Sequence, residues 1–309
     1  MIESVKKDSI AVVVVTYNRL DLLKKSVAKL FQQTKEFDKL IIVNNGSTDG
    51  TKEWLKELFQ KNDKLIVVTQ ENLGSSGGQY TGFKVAYEFG FEWIWEMDDD
   101  VSARENCLEK LFNERQENLI LAPLRYNSEG KVFFNEVKSY NLSNPFKSFW
   151  NEKISEKDLS KQLIPVQGIT FEGSFFHRSL IEKIGLPEKY FFLYGDDTEY
   201  FLRARKAGFE IYILTTANLD RMLPDITQEK IHTQTRYFYI RNIMLIDRLH
   251  GNLLVKFLRP AIYLVKWLLN SKSYSDIKFT IKAFKDFVFF KFDDGKITVS
   301  NISKKIHKN

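Results

Sequence analysis

Cysteine is almost absent from this chain. The single Cys107 excludes an intramolecular disulfide framework and a cysteine-cluster zinc site, and a reducing, cytosolic setting is the simplest expectation. Long apolar runs are missing too. No stretch approaches the ~18 to 20 residues that a membrane-spanning helix needs. The N-terminal apolar run covers residues 10–15, too short for a secretory core and suited to a strand. There is no internal repeat, no low-complexity tract, no Walker A pattern and no GxGxxG fingerprint. Nor does one charge dominate: 46 Lys and Arg against 40 Asp and Glu leave a formal +6, which permits an anionic partner without requiring nucleic acid.

What is present can build a core. The chain has 309 residues, 43% hydrophobic and 28% charged, enough for one large domain or two ordinary ones, and global disorder is excluded. Strand-like and helix-like patterns alternate through the first hundred residues. Residues 10–15, 40–43, 65–69 and 93–97 read as strands; residues 19–33 and 51–59 read as helices. Residues 74–78 read as a Gly/Ser loop opening a helix that runs to Phe89. Such alternation predicts an α/β fold with a mostly parallel sheet covered by helices, and ligands in these sheets bind beyond the carboxyl ends of the strands. Residues 16–19, 44–49 and 98–100 all fall at such ends. Further on, 119–124, 169–177 and 210–215 read as strands, 179–184 and 197–207 as helices, and 126–165 as a polar insertion or loop-bearing hairpin.

Three segments carry chemistry. Asp98, Asp99 and Asp100 follow the apolar run WIWEM; adjacent carboxylates at a buried strand end call for compensation, and a divalent cation supplies it. Oxygen-only ligands suit Mg2+ or Mn2+; an acidic solvated turn is the plainer alternative. The loop ENLGSSGGQYTG has small residues that would let a ligand approach the backbone at a helix start, although a plain loop explains it equally well. Asp196, Asp197 and Glu199 stand at the mouth of a helix, where acidic residues favour the helix dipole, or where a carboxylate takes a proton from an attacking hydroxyl.

The order VVVVTYNR, IIVNNGSTDG, ENLGSSGGQYTG, MDDD and YGDDTEYFLRARKAG resembles the family 2 glycosyltransferases of GT-A (nucleotide-diphospho-sugar transferase) fold, over about residues 9 to 250. The triple Asp, GGQYTG and RYFYIRN look most like the branch with bacterial galactofuranosyltransferases and rhamnosyltransferases. The resemblance implies an inverting, metal-dependent hexosyltransferase. It would move galactofuranose, rhamnose or another hexose from a UDP- or dTDP-sugar to a glycan or lipid-linked glycan in bacterial cell-surface polysaccharide synthesis. It places Thr16, Tyr17, Asn18 and Arg19 in the nucleotide pocket, Asn44 and Asn45 at the base or ribose, and Asn72, Gly74, Gly77 and Gly78 near the donor sugar. Asp98 and Asp99 would approach ribose and diphosphate, Asp98 and Asp100 the Mn2+ or Mg2+ ion, and Arg236 and Arg241 the diphosphate. Asp197 would be the base beside Asp196; Gly195 stands where some relatives have Trp. Relatives often supply a metal-binding His after the last strand; here Asp220 or His232 would take that place. A catalytically silent nucleotide- or glycan-binding module and a nucleotidyltransferase on a similar sheet are the competing classes. The acidic sites argue against the first; TYNRLD after the first strand, lacking a Gly-rich loop with Lys or Arg, argues against the second.

The charge is unevenly placed. Residues 251–309 hold twelve Lys and Arg against four Asp, a surplus of eight. Leu253, Leu254, Phe257, Ile262, Leu264, Val265, Trp267 and Leu268 alternate there with Lys256, Arg259 and Lys266. Basic heads beside an apolar face predict helices lying on an anionic membrane surface, with packing on the catalytic domain or across a homo-oligomer as the alternative. The expected organisation is a catalytic domain over residues 1–250 and a basic helical region over 251–309. It predicts a cytoplasmic enzyme peripheral to the inner face of the membrane, with no nucleic-acid partner.

Overall fold

The computed structural model describes residues 7–224 and 233–291. In the first hundred residues β1 (Ile10–Thr16), β2 (Lys39–Asn44), β3 (Leu65–Thr69) and β4 (Trp93–Asp98) alternate with α1 (Leu20–Leu30), α2 (Thr51–Lys61) and α3 (Gly74–Glu88). There follow β5 (Val101–Ala103), α4 (Cys107–Asn113), β6 (Leu119–Tyr126), β7 (Val137–Tyr140), β8 (Trp150–Lys153), β9 (Leu163–Val166), β10 (Phe175–His177), α5 (Ser179–Ile184), α6 (Asp196–Lys206) and β11 (Glu210–Arg221). Three helices close the described chain: α7 (Thr233–His250), α8 (Leu253–Leu269) and α9 (Tyr274–Val288).

Nine strands form one sheet in the order β3-β2-β1-β4-β10-β6-β11-β5, with β9 also on β11. The first four are parallel to one another and β6 is parallel to β11; β10, β5 and β9 run against their neighbours. This is the mostly parallel, helix-covered GT-A arrangement expected. β1 is buried along its whole length because it lies between β2 and β4, so both of its faces are apolar. Ala11, Val13 and Val15 meet Phe83 and Ala86 of α3 on one face. Ile10, Val12 and Val14 meet Leu23, Val27 and Leu30 of α1 on the other.

Three expected elements differ. Residues 74–78 are the first turn of α3 and not a loop. A Cβ on Gly78 or Gly82 would lie 2.3 Å from Val15 Cγ1 or Val13 Cγ1, so these glycines let the helix lie close on β1. Strand β10 is confined to Phe175–His177, because Gly173 at φ +97° breaks the extended chain before it. Strand β11 continues past 215 to Arg221 across an irregularity between Leu214 and Asn218. The polar insertion forms the antiparallel β7–β8 ribbon.

The three last helices contribute to a third apolar cluster. Ile243, Met244 and Ile246 of α7 and Ala283 and Phe287 of α9 pack with Phe149, Phe191 and Leu202. The expected boundary after residue 250 therefore falls between helices that pack on each other and on the sheet-bearing body. Among the described residues no helix is long and apolar enough to cross a membrane.

Candidate active site

Parallel pairing brings the carboxyl ends of β1, β2 and β4 to one edge of the sheet, and a cavity of about 720 Å³ opens there. Thr16, Tyr17, Arg19, Asn45, Asn72, Gly74, Asp98, Asp99 and Asp100 line one part of it. Asp196 and Asp197, at the start of α6, line another. The structure thus brings together both acidic groups singled out in the sequence.

The carboxylates at the end of β4 have different partners. Asp99 accepts hydrogen bonds from Thr16 Oγ1 (2.7 Å) and Arg19 Nη1 (3.0 Å). Arg19 also reaches Asp100 Oδ2 at 2.8 Å. Among the described residues Asp98 has only a long contact from Gln79 Nε2, 3.5 Å. Burial pushes the Asp98 carboxyl well above its ordinary range; Asp100, Glu172 and Asp99 push the same way and Arg19 opposes them. Asp100 is raised by burial and Glu172 against the pull of Arg19. Two half-buried, mutually repelling carboxylates, with only oxygen donors, suit a hard divalent cation. Among the described residues no three His, Cys, Asp or Glu side chains form a metal-binding group, so an ion held by Asp98 and Asp100 would complete its shell with water and phosphate oxygens.

The other predicted residues divide. Asn18, at φ +52°, accepts from Thr48 N (2.7 Å) and its own N–H donates to Ser47 Oγ (3.0 Å), so it ties the β1 end to the turn after β2. Asn44 is fully buried and its Oδ1 accepts from Ser47 N at 3.0 Å. Asn45 Nδ2 donates to Gly74 O (2.9 Å) and Asn72 Oδ1 (3.2 Å), which shapes the turn into α3. Gly77 lies against Leu73 and Gly78 against Val15. Asp220 is turned to the other face of β11 from Arg221 and pairs with Arg104 at 2.8 Å, beside a separate, smaller cavity. Arg236 pairs with Asp276 (3.7 Å) and donates to Trp267 O. Arg241 is buried and its Nη2 donates to the carbonyls of Tyr190 (2.6 Å) and Phe191 (3.0 Å). His232 lies outside the described residues.

Asp196 and Asp197 follow an unusual segment. Phe192, Tyr194 and Gly195 have φ of +63°, +66° and +84°, and non-glycine residues there store strain. Asn242 of α7 holds the segment: its Nδ2 lies 2.9, 2.8 and 2.7 Å from the carbonyls of Phe191, Leu193 and Tyr194. Asp197 Oδ1 accepts from Thr198 N (2.6 Å) and Thr198 Oγ1 (3.2 Å). Asp196 Oδ2 is buried and finds no hydrogen-bond partner among the described residues. Burial raises both carboxyls, Asp196 to about 8 with help from Asp197, and Asp197 to about 6 against the Thr198 hydrogen bonds. Two acids pushed apart in this way are fitted to different roles at neutral pH.

A buried charge network beneath the cavity was not foreseen. Arg125 pairs with Glu136 (2.5 Å) and with Glu172, and Arg221 pairs with Glu172 at 3.1 Å. Burial opposes ionisation of Glu172, yet Arg125 and Arg221 outweigh it and hold its carboxyl below the ordinary value. Glu172 lines the cavity and joins the electrostatic surroundings of Asp98, Asp100 and Asp197. The signal was a charged residue inside each of two apolar segments, LILAPLRY and ITFEGSFF, which a buried strand tolerates only when the charge is paired.

Known proteins resemble this chain in sequence and in fold. Galactofuranosyltransferase GlfT1 of Mycobacterium tuberculosis (strain ATCC 25618 / H37Rv) is 28% identical over 207 residues, 65% of this chain and 66% of that protein, so the match spans just under two thirds of its length. GlfT1 of Mycolicibacterium smegmatis is 25% identical over 252 residues, 75% of this chain and 81% of that one. The dTDP-rhamnosyl transferase RfbF of Shigella flexneri is 25% identical over 266 residues, 82% and 85% of the two chains. A crystal structure of GalNAc-T7 with UDP, GalNAc and Mn2+ superposes with a TM-score of 0.65 at 13% identity, covering 92% of this chain and 56% of that one; the likeness is one of fold. The model of the family described as Glycosyl transferase family 2 matches residues 11–185, more than half of the chain. The chain belongs to glycosyl transferase family 2.

Proposed function

We propose that this protein transfers a hexose from a UDP- or dTDP-sugar to a hydroxyl of a glycan or lipid-linked glycan, with inversion at the anomeric carbon. The supporting observation is a single cavity lined by the Asp98–Asp100 acids at the carboxyl end of β4 and by Asp197 at the start of α6. The nucleotide lies against the β1 and β2 ends, where Thr16, Tyr17 and Asn45 face the cavity. Asp197, ionised above its raised pKa, accepts the proton of the attacking hydroxyl. That oxygen bonds to the anomeric carbon as the bond to the diphosphate oxygen on the opposite face breaks. Arg19 fixes Asp99 and Asp100 and so shapes the diphosphate end. A bound Mn2+ or Mg2+, held by Asp98 and Asp100, would supply Lewis-acid neutralisation of the leaving diphosphate. The similarity to GlfT1 and RfbF favours galactofuranose or rhamnose as the transferred sugar.

A thermal-shift screen of UDP- and dTDP-sugars with Mn2+, followed by linkage analysis of the product, tests the proposal. Asp197→Asn should keep the donor-induced shift while turnover falls about 10²- to 10⁴-fold. Near-wild-type turnover in that variant would overturn the assignment of the base.

The same proposal includes a membrane-surface location. Leu254, Phe257, Leu258, Val265 and Leu269 of α8 and Ile277, Ile281 and Val288 of α9 are exposed, Phe257 at 75%. Lys256, Lys266, Lys278, Lys282 and Lys285 lie on the same two helices. Apolar side chains outside a packed helix layer, with lysines beside them, favour an anionic lipid surface.

A further inference from the structure

The wall of the cavity formed by the β7–β8 ribbon and α7 has chemistry of its own. These two elements carry none of the cavity-lining residues assigned to the nucleotide. Trp150 of β8, Tyr239 of α7 and Tyr194 beside the acidic pair all line the cavity. Trp150 stacks on Tyr239, with ring centroids 6.2 Å apart and planes 8° from parallel, and Tyr194 stands edge-on to Tyr239 at 6.4 Å and 84°. Tyr194 is 37% exposed, and Trp150 and Tyr239 are half-buried. Aromatic surface is therefore left open inside a concave site, next to the carboxylate of Asp197.

The wall is also held in place from behind. Arg259 of α8 is completely buried, pairs with Asp247 at 2.9 Å, and donates to the carbonyls of Asn141 (2.7 Å) and Asn144 (2.9 Å) in the turn that joins β7 to β8. Asn252 N donates to Leu142 O at 2.9 Å in the same turn. Fixing this turn fixes the start of β8, where Trp150 stands. Such pre-organisation is expected of a binding surface and not of an incidental aromatic cluster.

We propose that Trp150, Tyr239 and Tyr194 form the acceptor subsite and receive the C–H face of a sugar ring beside Asp197. A sugar ring has apolar C–H faces and a hydroxyl rim, so it suits an aromatic platform with a carboxylate at its edge. The assignment deepens the transferase proposal and rests on Asp197 being the base.

The test uses the full chain and a panel of octyl pyranosides and octyl furanosides, read by titration calorimetry and by transfer. The expected result is saturable binding of at least one glycoside, insensitive to UDP. Binding should be about tenfold weaker in Trp150→Ala and Tyr194→Ser, and Trp150→Phe should retain most of it. In transfer assays the acceptor KM should rise about tenfold while the thermal stabilisation by UDP is kept. Tyr194 is on the surface, so Tyr194→Ser keeps the test alive should Trp150→Ala fail to fold. No saturable response from any glycoside, or equal affinity in the wild type and in the folded variants, overturns the subsite. Normal donor hydrolysis without glycoside binding would defeat the subsite alone. Trp150-dependent binding without donor hydrolysis or transfer would support the subsite and defeat the transferase proposal.

Discussion

Replacing Asn242 tests how the strained segment before the acidic pair is maintained. The amide orientation is fixed, because Arg241 Nε donates to Asn242 Oδ1 at 2.9 Å and turns Nδ2 toward the three carbonyls. Two N–H groups serve three acceptors, so the count is about two hydrogen bonds. Phe191 O keeps a second donor in Arg241; the carbonyls of Leu193 and Tyr194 lose theirs. At a net ~1 kcal/mol per hydrogen bond, Asn242→Ala costs about 2 kcal/mol. That corresponds to a fall in Tm of roughly 3 °C for a chain of this size. Asn242→Asp keeps the shape but sets a carboxylate oxygen against three carbonyl oxygens, so it should destabilise more than alanine does. Both variants let Phe192 and Tyr194 relax and displace Asp196 and Asp197, and a shift of ~1 Å at a reacting group lowers turnover about 10²-fold. Donor binding at the far side of the cavity should be unchanged. Thermal denaturation, donor-induced thermal shift and turnover are the measurements. An Asn242→Asp protein as stable and active as the wild type would refute the clamp.

Four further outcomes are expected. Asp100→Ala should remove the Mn2+-dependent part of UDP binding in calorimetry and leave the metal-free part; unaltered binding with Mn2+ would disprove a cation held there. Asp197 is raised to about 6, so turnover should fall tenfold per unit as pH drops below about 6. Asp196 is raised from 3.8 to about 8, so its contribution to stability is present at low pH and lost as pH rises toward 8. Asp196→Asn should therefore raise Tm at pH 9 relative to the wild type and show no gain at pH 4; the opposite pattern would contradict a buried, neutral Asp196. Leu254→Asp with Phe257→Asp should abolish sedimentation with anionic liposomes while transfer to a soluble acceptor persists; unchanged sedimentation would count against the lipid-facing surface, and a change in oligomeric state would point instead to a second copy.

Much of the cavity wall at the sheet edge was legible because it follows from strand ends. Continuous β-branched runs identified buried parallel strands, and the residues just after them had to fall at one edge of the sheet. In the structure Thr16, Asn45 and Asp98–Asp100 line one cavity at that edge. What was illegible depended on contacts between distant segments. Gly77 and Gly78 looked like room for a ligand, but the space is filled by Leu73 and Val15. Period-two alternation along β11 sends Arg221 to Glu172 and Asp220 to Arg104, and a strand expected to stop at 215 hid that register. Arg241, expected at the diphosphate, is bonded to backbone carbonyls of the segment before the acidic pair.

The basic end of the chain shows the same limit most clearly. A helical face with Lys256, Arg259 and Lys266 reads as a row of cationic heads for a lipid surface. In the structure Arg259 is fully buried and pairs with Asp247, whose carboxyl is raised to about 7 by burial despite its partner. A guanidinium can take this place because its planar fork serves one carboxylate and two carbonyls at once, which a lysine ammonium does less well. One cation of the row therefore faces inward and fixes the turn behind Trp150, while Leu254 and Phe257 face outward. Charge counting cannot separate these roles, since both residue types add one unit to the same surplus. The separation comes from burial, which leaves Arg259 at 0% exposure and Phe257, two residues before it, at 75%.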